Sequence, residues 1–184
     1  MTKVIFVRHG RTDYNVAWKF DCIWIAQLNE TWLKQAQELI EVFKDENISA
    51  IYSSPLQRCV DTITPLAESK GLEISQKQAF MEIRSIELQD TVFNCKKFKL
   101  ENWYGSWEKI IEVQARVEGE LEKLLELHAW ETIVICGHGD TTFLGRNYFH
   151  KYDYDTEKYS CGLYLENNPW KWDIHNMYWV ESKD

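Results

Sequence analysis

The amino-acid sequence predicts an α/β fold, specifically a three-layer α/β/α sandwich with a mostly parallel central sheet. Short apolar runs that favour β-strands alternate with longer segments in which apolar residues recur at helical spacing. Several of the apolar runs also end at a glycine or proline turn. Alternating strands and helices form βαβ units, in which parallel strands are covered by helices on both faces of the sheet.

The first strand and the first long helix have clear local signals. Residues 3–7 form a β-rich run that ends at a glycine turn. A helix is expected to begin near Asn29, which is a favourable N-cap residue. Its apolar face is expected to carry Leu33, Ala36, Leu39, Ile40 and Phe43.

A second strand and helix follow at once. The strand is expected at 48–53, closed by a serine-proline turn, and the helix at 56–70. Gly71 is placed to serve as the C-cap of this helix. Pro65 lies inside the helix and predicts a kink or an early end. A third short strand is expected at 72–75.

The second half of the chain continues the alternation after an irregular stretch at 79–104. The longest helix is expected at 106–127, with apolar residues at helical spacing. Residues 132–136 are nearly all apolar, as is typical of a strand buried on both faces. Two further strands, joined by a turn, are expected at 159–166 and 172–181.

Composition and charge narrow the possible functions. A chain of 184 residues, 45% of them hydrophobic, predicts a single domain over 1–184. The net charge of −8 argues against a nucleic-acid partner, because phosphate-backbone affinity comes from Lys and Arg. The chain has no apolar run of about eighteen residues, which argues against a membrane partner, and its N-terminal apolar stretch is too short for a signal peptide. The expected location is therefore the cytoplasm. The five cysteines form no Cys-x-x-Cys pair, so neither a disulfide framework nor a zinc site is expected.

Three turns that follow predicted strands carry the chemically informative residues. They are Arg8-His9-Gly10, the segment 53–58 that ends at Arg58, and Gly137-His138-Gly139. Ligands of parallel sheets bind at the carboxyl ends of the strands, so two histidines and two arginines are expected to converge there. Arginine matches phosphate oxygens bidentately, and a neutral imidazole is a good nucleophile towards phosphorus when its other ring nitrogen donates to a carbonyl. These residues predict a site for a phosphoryl group.

The same residues resemble the histidine phosphatase superfamily, that is, the phosphoglycerate-mutase-like phosphatases. The resemblance extends over nearly the whole chain, in order and at family-like spacing. It is carried by Val7-Arg8-His9-Gly10 with Thr12 and Asn15, Leu28-Asn29-Glu30 leading to Gln35-Ala36, the run from Ile51 to Arg58 with Thr62, Glu82, Gly105-Ser106-Trp107 leading to Arg116, and His138 between two glycines.

The resemblance implies a phosphatase that needs no metal or cofactor. His9 is expected to attack phosphorus and form a phosphohistidine, which water then hydrolyses. Arg8, Arg58 and His138 are expected to bind the phosphoryl oxygens and to stabilise their charge. Asn15 and Gly139 are further expected substrate-binding residues. Arg11 stands where relatives commonly have glutamate, and it is expected to add positive charge at the pocket mouth.

The proton donor for the leaving oxygen is left between two glutamates. Glu82 lies at the family's distance beyond Arg58 and is preferred, although Ile86 replaces the glycine that often follows it by four residues. Glu101 imitates the family's Glu-x-x-x-Gly pattern. Residues 86–104 are expected to form a lid, in which Lys96, Lys97 and Lys99 are candidates to meet a second anionic group of the substrate.

Three functions are compatible with these residues. The preferred one is a phosphatase acting on a small phosphorylated metabolite. The second is a phosphoglycerate-type mutase, although mutases of this family usually carry a longer insertion between the Arg58-like and His138-like positions. The third is a catalytically weak relative that binds a phosphorylated ligand. The sequence names neither the substrate nor the oligomeric state, and a homodimer is among the open possibilities.

Overall fold

The computed structural model describes residues 1–21, 26–86, 89–92, 108–150 and 177–183. They form a five-stranded sheet with helices packed on both faces. The strands are β1 (Thr2–Arg8), β2 (Ile48–Ser53), β3 (Ile74–Gln76), β4 (Thr132–Gly137) and β5 (Tyr178–Lys183). The helices are α1 (Asp13–Val16), α2 (Thr31–Val42), α3 (Gln57–Lys70), α4 (Ile110–Leu127) and α5 (Gly139–His150), and a 3₁₀ turn spans Gln78–Phe80.

The strand order is β3-β2-β4-β1-β5, and all pairs except β1 with β5 are parallel. The predicted mostly parallel sheet is therefore confirmed. In the register of the sheet, Arg8 lies beside Gly137, and Ser53 lies beside Cys136. The carboxyl ends of β1, β2 and β4 are consequently level, and the turns that follow them meet at one edge.

Alternation along the strands builds two cores. Val4 and Phe6 of β1 pack with apolar residues of α4 and α5 on one face of the sheet. Ile5 and Val7 pack with apolar residues of α2 and α3 on the other face. Successive side chains of a strand point to opposite faces, so one apolar run serves both layers. The three-layer prediction is confirmed by this arrangement.

Several predicted boundaries need correction. The N-cap of α2 is Glu30, although the side-chain oxygen of Asn29 still accepts a hydrogen bond from the Thr31 amide at 3.1 Å. Leu33, expected on the apolar face, is 55% exposed. Helix α3 continues through Pro65 to Lys70, so it has no early end there. Gly71 has a φ of 64° and is the predicted C-cap of α3.

Helix α4 begins at Ile110 rather than 106, because the Glu112 carboxylate accepts from the backbone N–H of Lys109 at 2.8 Å and marks the start there. Helix α5 was not predicted from the sequence. Its apolar periodicity is weak, and it is placed by packing: a Cβ on Gly145 would lie 2.5 Å from the Phe6 ring.

Three predicted segments lie wholly or partly outside the described residues. The expected strand at 159–166 lies wholly outside them, and the expected strand at 172–181 corresponds to Tyr178–Lys183, which pairs antiparallel with β1. Of the expected lid at 86–104, only residue 86 and residues 89–92 are described. Among the helices that the structure describes, none has the length and apolar character needed to cross a bilayer.

Candidate active site

A cavity lies at the carboxyl edge of the sheet, where the three turns meet. Six of the eight residues proposed from the sequence contribute to its wall, and several residues not proposed also do so. Its lining consists of Arg8, His9, Thr12, Asn15, Lys19, Phe20, Asp21, Arg58, Glu82, Gly139 and Asp140. The described part of the chain therefore brings the expected nucleophile, two arginines and one candidate proton donor into one cavity.

His9 is held in one orientation by its own turn. Its backbone N–H donates to the Gly137 carbonyl at 2.9 Å, and its ring Nδ1 lies 2.8 Å from the Gly10 carbonyl oxygen. A carbonyl only accepts, so Nδ1 carries the proton and a neutral ring has its lone pair on Nε2. The Gly10 N–H donates to the Thr62 hydroxyl at 2.7 Å, and a Cβ on Gly10 would lie 3.0 Å from Trp32 Cβ, so the backbone approaches α2 closely. The fixed tautomer is the one that a nucleophilic Nε2 requires.

The surroundings of His9 keep its ring neutral. Burial lowers its pKa well below the ordinary histidine value, and the positive charges of Arg58 and Arg8 lower it further. The hydrogen bond to Gly10 acts in the opposite direction but is the weakest of these influences. His9 is therefore unprotonated near neutral pH, with two guanidinium groups close enough to act on its charge.

Arg58 projects from the first turn of α3 and is almost completely buried. Its Nη1 donates to the Asp21 carboxylate at 2.9 Å. Its Nη2 donates to the Asp21 carbonyl at 3.1 Å and lies 3.1 Å from Nδ1 of His138. The guanidinium is thus fixed between the loop that carries Asp21 and the loop that carries His138.

His138 stands behind Arg58 and is not part of the cavity wall formed by the described residues. Its side chain is fully buried, and its ring centroid lies 5.2 Å from that of His9. A guanidinium only donates, so Nδ1 of His138 accepts from Arg58, and the neutral ring carries its proton on Nε2. Nε2 then donates to the Ser54 hydroxyl at 2.9 Å. Burial first, and then the charge of Arg58, hold the pKa of His138 well below the ordinary value.

Glu82 forms a pair of carboxyl groups with Asp140 inside the cavity. Burial raises the pKa of Glu82 well above its usual range, and the charge of Asp140 and a hydrogen bond to it raise it further. The Glu82 carboxyl is therefore suited to hold a proton near neutral pH. Its Oε2 lies 3.6 Å from Nδ1 of His138, but the neutral histidine forms no ion pair with it.

The loop that carries Glu82 is anchored by α4. Arg116 donates to the Ala79 carbonyl at 2.5 Å and to the Glu82 carbonyl at 3.4 Å. The same guanidinium pairs with both oxygens of Glu108, at 2.7 and 2.9 Å. Arg116, noted in the sequence only as part of a motif, thus holds the backbone of the proton-donor candidate.

The remaining proposed residues lie elsewhere or are not described. Arg11 does not line the cavity: its N–H donates to the Gln35 side chain at 3.0 Å and its carbonyl accepts from Asn29 at 2.9 Å. These bonds hold its backbone against α2, and the positive charge expected from its side chain at the pocket mouth stays a prediction. Glu101 and the three lysines at 96, 97 and 99 lie outside the described residues.

Two acidic residues of the cavity were missed by sequence reasoning. Asp21 lies between α1 and α2, and Asp140 directly follows Gly139. The position next to the second glycine-flanked histidine was the available signal for Asp140. Neither residue stands out in sequence, because acidic residues in turns are usually solvated. Within the described residues, no group of three or more His, Cys, Asp or Glu side chains is arranged to hold a metal ion.

Comparisons with known proteins identify the family of the chain. The profile of the histidine phosphatase superfamily (branch 1) matches residues 4–159. Phosphoserine phosphatase 1 of Hydrogenobacter thermophilus is 29% identical, with 75% of this chain and 71% of the relative covered. Phosphatase PhoE of Bacillus subtilis is 31% identical, with 76% and 72% covered.

A solved structure of a relative has the same fold. The phosphoserine phosphatase of Entamoeba histolytica, in complex with 3-phosphoglyceric acid, aligns with a TM-score of 0.67 and 28% identity, covering 83% of this chain and 86% of that one. The profile match spans most of the sequence, and the fold and the order of motifs agree with it. The chain therefore belongs to the histidine phosphatase superfamily, branch 1.

Proposed function

We propose that the chain is a metal-independent phosphomonoesterase that hydrolyses a small phosphorylated metabolite through a phosphohistidine on His9. One observation carries the proposal: a neutral imidazole, two guanidinium groups and a carboxyl group with a raised pKa line the same cavity. These groups supply a nucleophile, a clamp for phosphoryl oxygens and a proton donor.

In the first step, Nε2 of His9 attacks phosphorus in line with the ester oxygen. The P–N bond forms as the P–O bond to the alcohol breaks, and Glu82 transfers its proton to the departing oxygen. Arg8 and Arg58 bind the equatorial oxygens, whose charge their guanidinium groups stabilise. His138 holds Arg58 from behind through the 3.1 Å contact.

In the second step, water attacks the phosphohistidine. The Glu82 carboxylate left by the first step takes a proton from that water, the P–N bond breaks, and inorganic phosphate departs. The P–N electron pair returns to His9, which is again neutral, and Glu82 is again protonated. The raised pKa of Glu82 suits both directions of this transfer, because the acid and its base are then both accessible near neutral pH.

The relatives support the reaction class and narrow the first substrates to try. Two are named phosphoserine phosphatases, and one of these was solved with 3-phosphoglyceric acid. The first set of substrates to assay therefore contains phosphoserine, phosphoglycerates and sugar phosphates. The arginines supply the positive charge that phosphoryl transfer needs, which supports a reaction without a metal.

The test is hydrolysis of p-nitrophenyl phosphate and this set of substrates by the purified chain, with and without EDTA and vanadate. We expect EDTA-resistant release of phosphate that vanadate inhibits. A strict metal requirement would contradict the proposal. Isomerisation of phosphoglycerates without net phosphate release would instead indicate a mutase, and binding without turnover would indicate a phospho-ligand binding module.

A further inference from the structure

The ion pair between Asp21 and Arg58 lies inside the cavity rather than on the surface. The side chains are only 6% and 3% exposed, and both residues line the cavity. Asp21 contacts Arg58 twice, through its carboxylate at 2.9 Å and its carbonyl at 3.1 Å. An internal carboxylate thus occupies the guanidinium that the proposed function assigns to a phosphoryl group.

The hydrogen bonds of Arg58 put Asp21 and a phosphoryl group in competition for the same end of the guanidinium. A guanidinium has five N–H donors, and it binds phosphate best through two parallel donors. Nη2 of Arg58 already serves the Asp21 carbonyl and His138, and Nη1 serves the Asp21 carboxylate. Three of the five donors are thus engaged, and a phosphoryl group that binds through Nη1 and Nη2 together competes with Asp21 for them.

Asp21 has a second partner that lowers the cost of releasing Arg58. The backbone N–H of Ala26 donates to the same carboxylate oxygen at 2.9 Å. After exchange, the carboxylate keeps this donor while Arg58 takes the phosphoryl oxygens. In the absence of ligand, the carboxylate supplies the countercharge that a buried guanidinium requires.

We propose that Asp21 is a specificity-determining residue that competes with the phosphoryl group for Arg58. This inference rests on the proposed function, since it takes Arg58 to be a phosphoryl-binding residue. The apparent affinity for the ligand equals the intrinsic affinity multiplied by the fraction of molecules in which Arg58 is released from Asp21. A ligand binds only if its negative charge is large enough to replace the Asp21 carboxylate on the buried guanidinium. Dianionic phosphoryl groups are therefore favoured over singly charged anions.

The test is the affinity of the intact chain for inorganic phosphate, measured by isothermal titration calorimetry. Asp21→Asn is expected to tighten phosphate binding by about tenfold or more, because the competitor loses its charge. The KM for phosphate monoesters is expected to fall in the same ratio. Unchanged or weaker binding would overturn the inference and assign Asp21 to the positioning of Arg58 instead.

Two controls separate this effect from others. Asp13→Asn removes one negative charge from the exposed side of α1, outside the cavity wall, and is expected to change phosphate affinity by less than about twofold. If Asp21→Asn fails to fold, NMR of the unmodified chain gives the same test. Phosphate should shift the guanidinium signals of Arg58 and the carboxyl carbon of Asp21 at the same concentration, and an unmoved Asp21 signal would overturn the exchange.

The result is distinguishable from the fate of the proposed function. Tighter phosphate binding by Asp21→Asn in a chain that hydrolyses no monoester would support the competition and contradict the phosphatase. Hydrolysis by the wild type, with no gain in phosphate affinity for the variant, would support the phosphatase and contradict the competition. Phosphate binding by neither protein would overturn both.

Discussion

The turns that carry His9 and His138 have similar sequences but different environments. Each places a histidine before a glycine at the end of a parallel strand, and the strands are neighbours, with Arg8 beside Gly137. His9 uses Nδ1 on the carbonyl of its own turn and is part of the cavity wall. His138 is held at both ring nitrogens, by Arg58 and by Ser54.

The difference shows that the partners of the ring nitrogens, rather than the local sequence, distinguish the two histidines. Both rings are neutral for the same reason, since burial lowers both pKa values. Both ring nitrogens of His138 are engaged, by Arg58 and by Ser54, so His138 acts on the cavity through Arg58. His9 itself lines the cavity, with its Nδ1 fixed on the Gly10 carbonyl. We therefore expect a nucleophile at position 9 and a positioning residue at position 138.

The largest expected effect is that of His9→Ala. Loss of the nucleophile should lower kcat/KM by on the order of 10⁴-fold or more, as removal of a nucleophile does in other enzymes. Samples incubated with labelled substrate and quenched in alkaline detergent should lose the acid-labile, base-stable phosphoprotein. His150→Gln, at a half-exposed histidine outside the cavity wall, is the matched control. If His9→Ala retained more than a few per cent of the activity, the nucleophile would have to be a residue other than His9.

Glu82→Gln comes next and depends on the leaving group. The loss should be about 10²- to 10⁴-fold for alkyl phosphates, which need a proton on the departing oxygen. It should be much smaller for p-nitrophenyl phosphate, whose leaving group departs without one. Equal losses for both substrates would contradict the role of proton donor.

The pH profile tests the same residue. The acid form of Glu82 is present below its raised pKa, so activity should fall as the pH rises through that pKa. His9 must be neutral, so activity should fall on the acid side only below its lowered pKa. Asp140→Asn removes the charge that raises the pKa of Glu82 and should shift the basic limb to lower pH. A basic limb that stays in place in this variant would contradict the carboxyl pair.

His138→Ala should cost less than His9→Ala if His138 acts through Arg58. Displacement of a clamping group by about 1 Å costs roughly 10²-fold in rate. The variant should still accumulate phosphohistidine on His9, at a lower rate and with a raised KM. Complete loss of phosphoenzyme would show that His138 takes part in the chemistry itself.

The smallest expected effect is that of Ser54→Ala. It removes the acceptor for Nε2–H of His138, worth about 0.5–1.5 kcal/mol, or roughly 2- to 10-fold in kcat/KM. Ser69→Ala is the matched control, because that hydroxyl bonds within α3 and outside the cavity wall. An effect as large as that of His138→Ala would mean that the orientation of the ring depends on Ser54 alone.

Much of the fold and part of the site followed from local sequence. Apolar runs that end in glycine turns predicted the parallel sheet, and the level ends of β1, β2 and β4 brought Arg8, His9 and Arg58 to one cavity. Helix α5 could not be predicted in this way, because its place depends on the contact of Gly145 with Phe6 across the core.

The sequence by itself determined the fold class, the family and the nucleophile candidate, because strand periodicity, turn glycines and short motifs are local properties. Only the tertiary structure decided that His138 faces Arg58 and Ser54, and that the Asp21 carboxylate binds Arg58. His138 and Ser54 are 84 residues apart, and Asp21 and Arg58 are 37 apart. Such hydrogen bonds depend on the burial and packing of distant segments, which leave no periodic pattern in the chain.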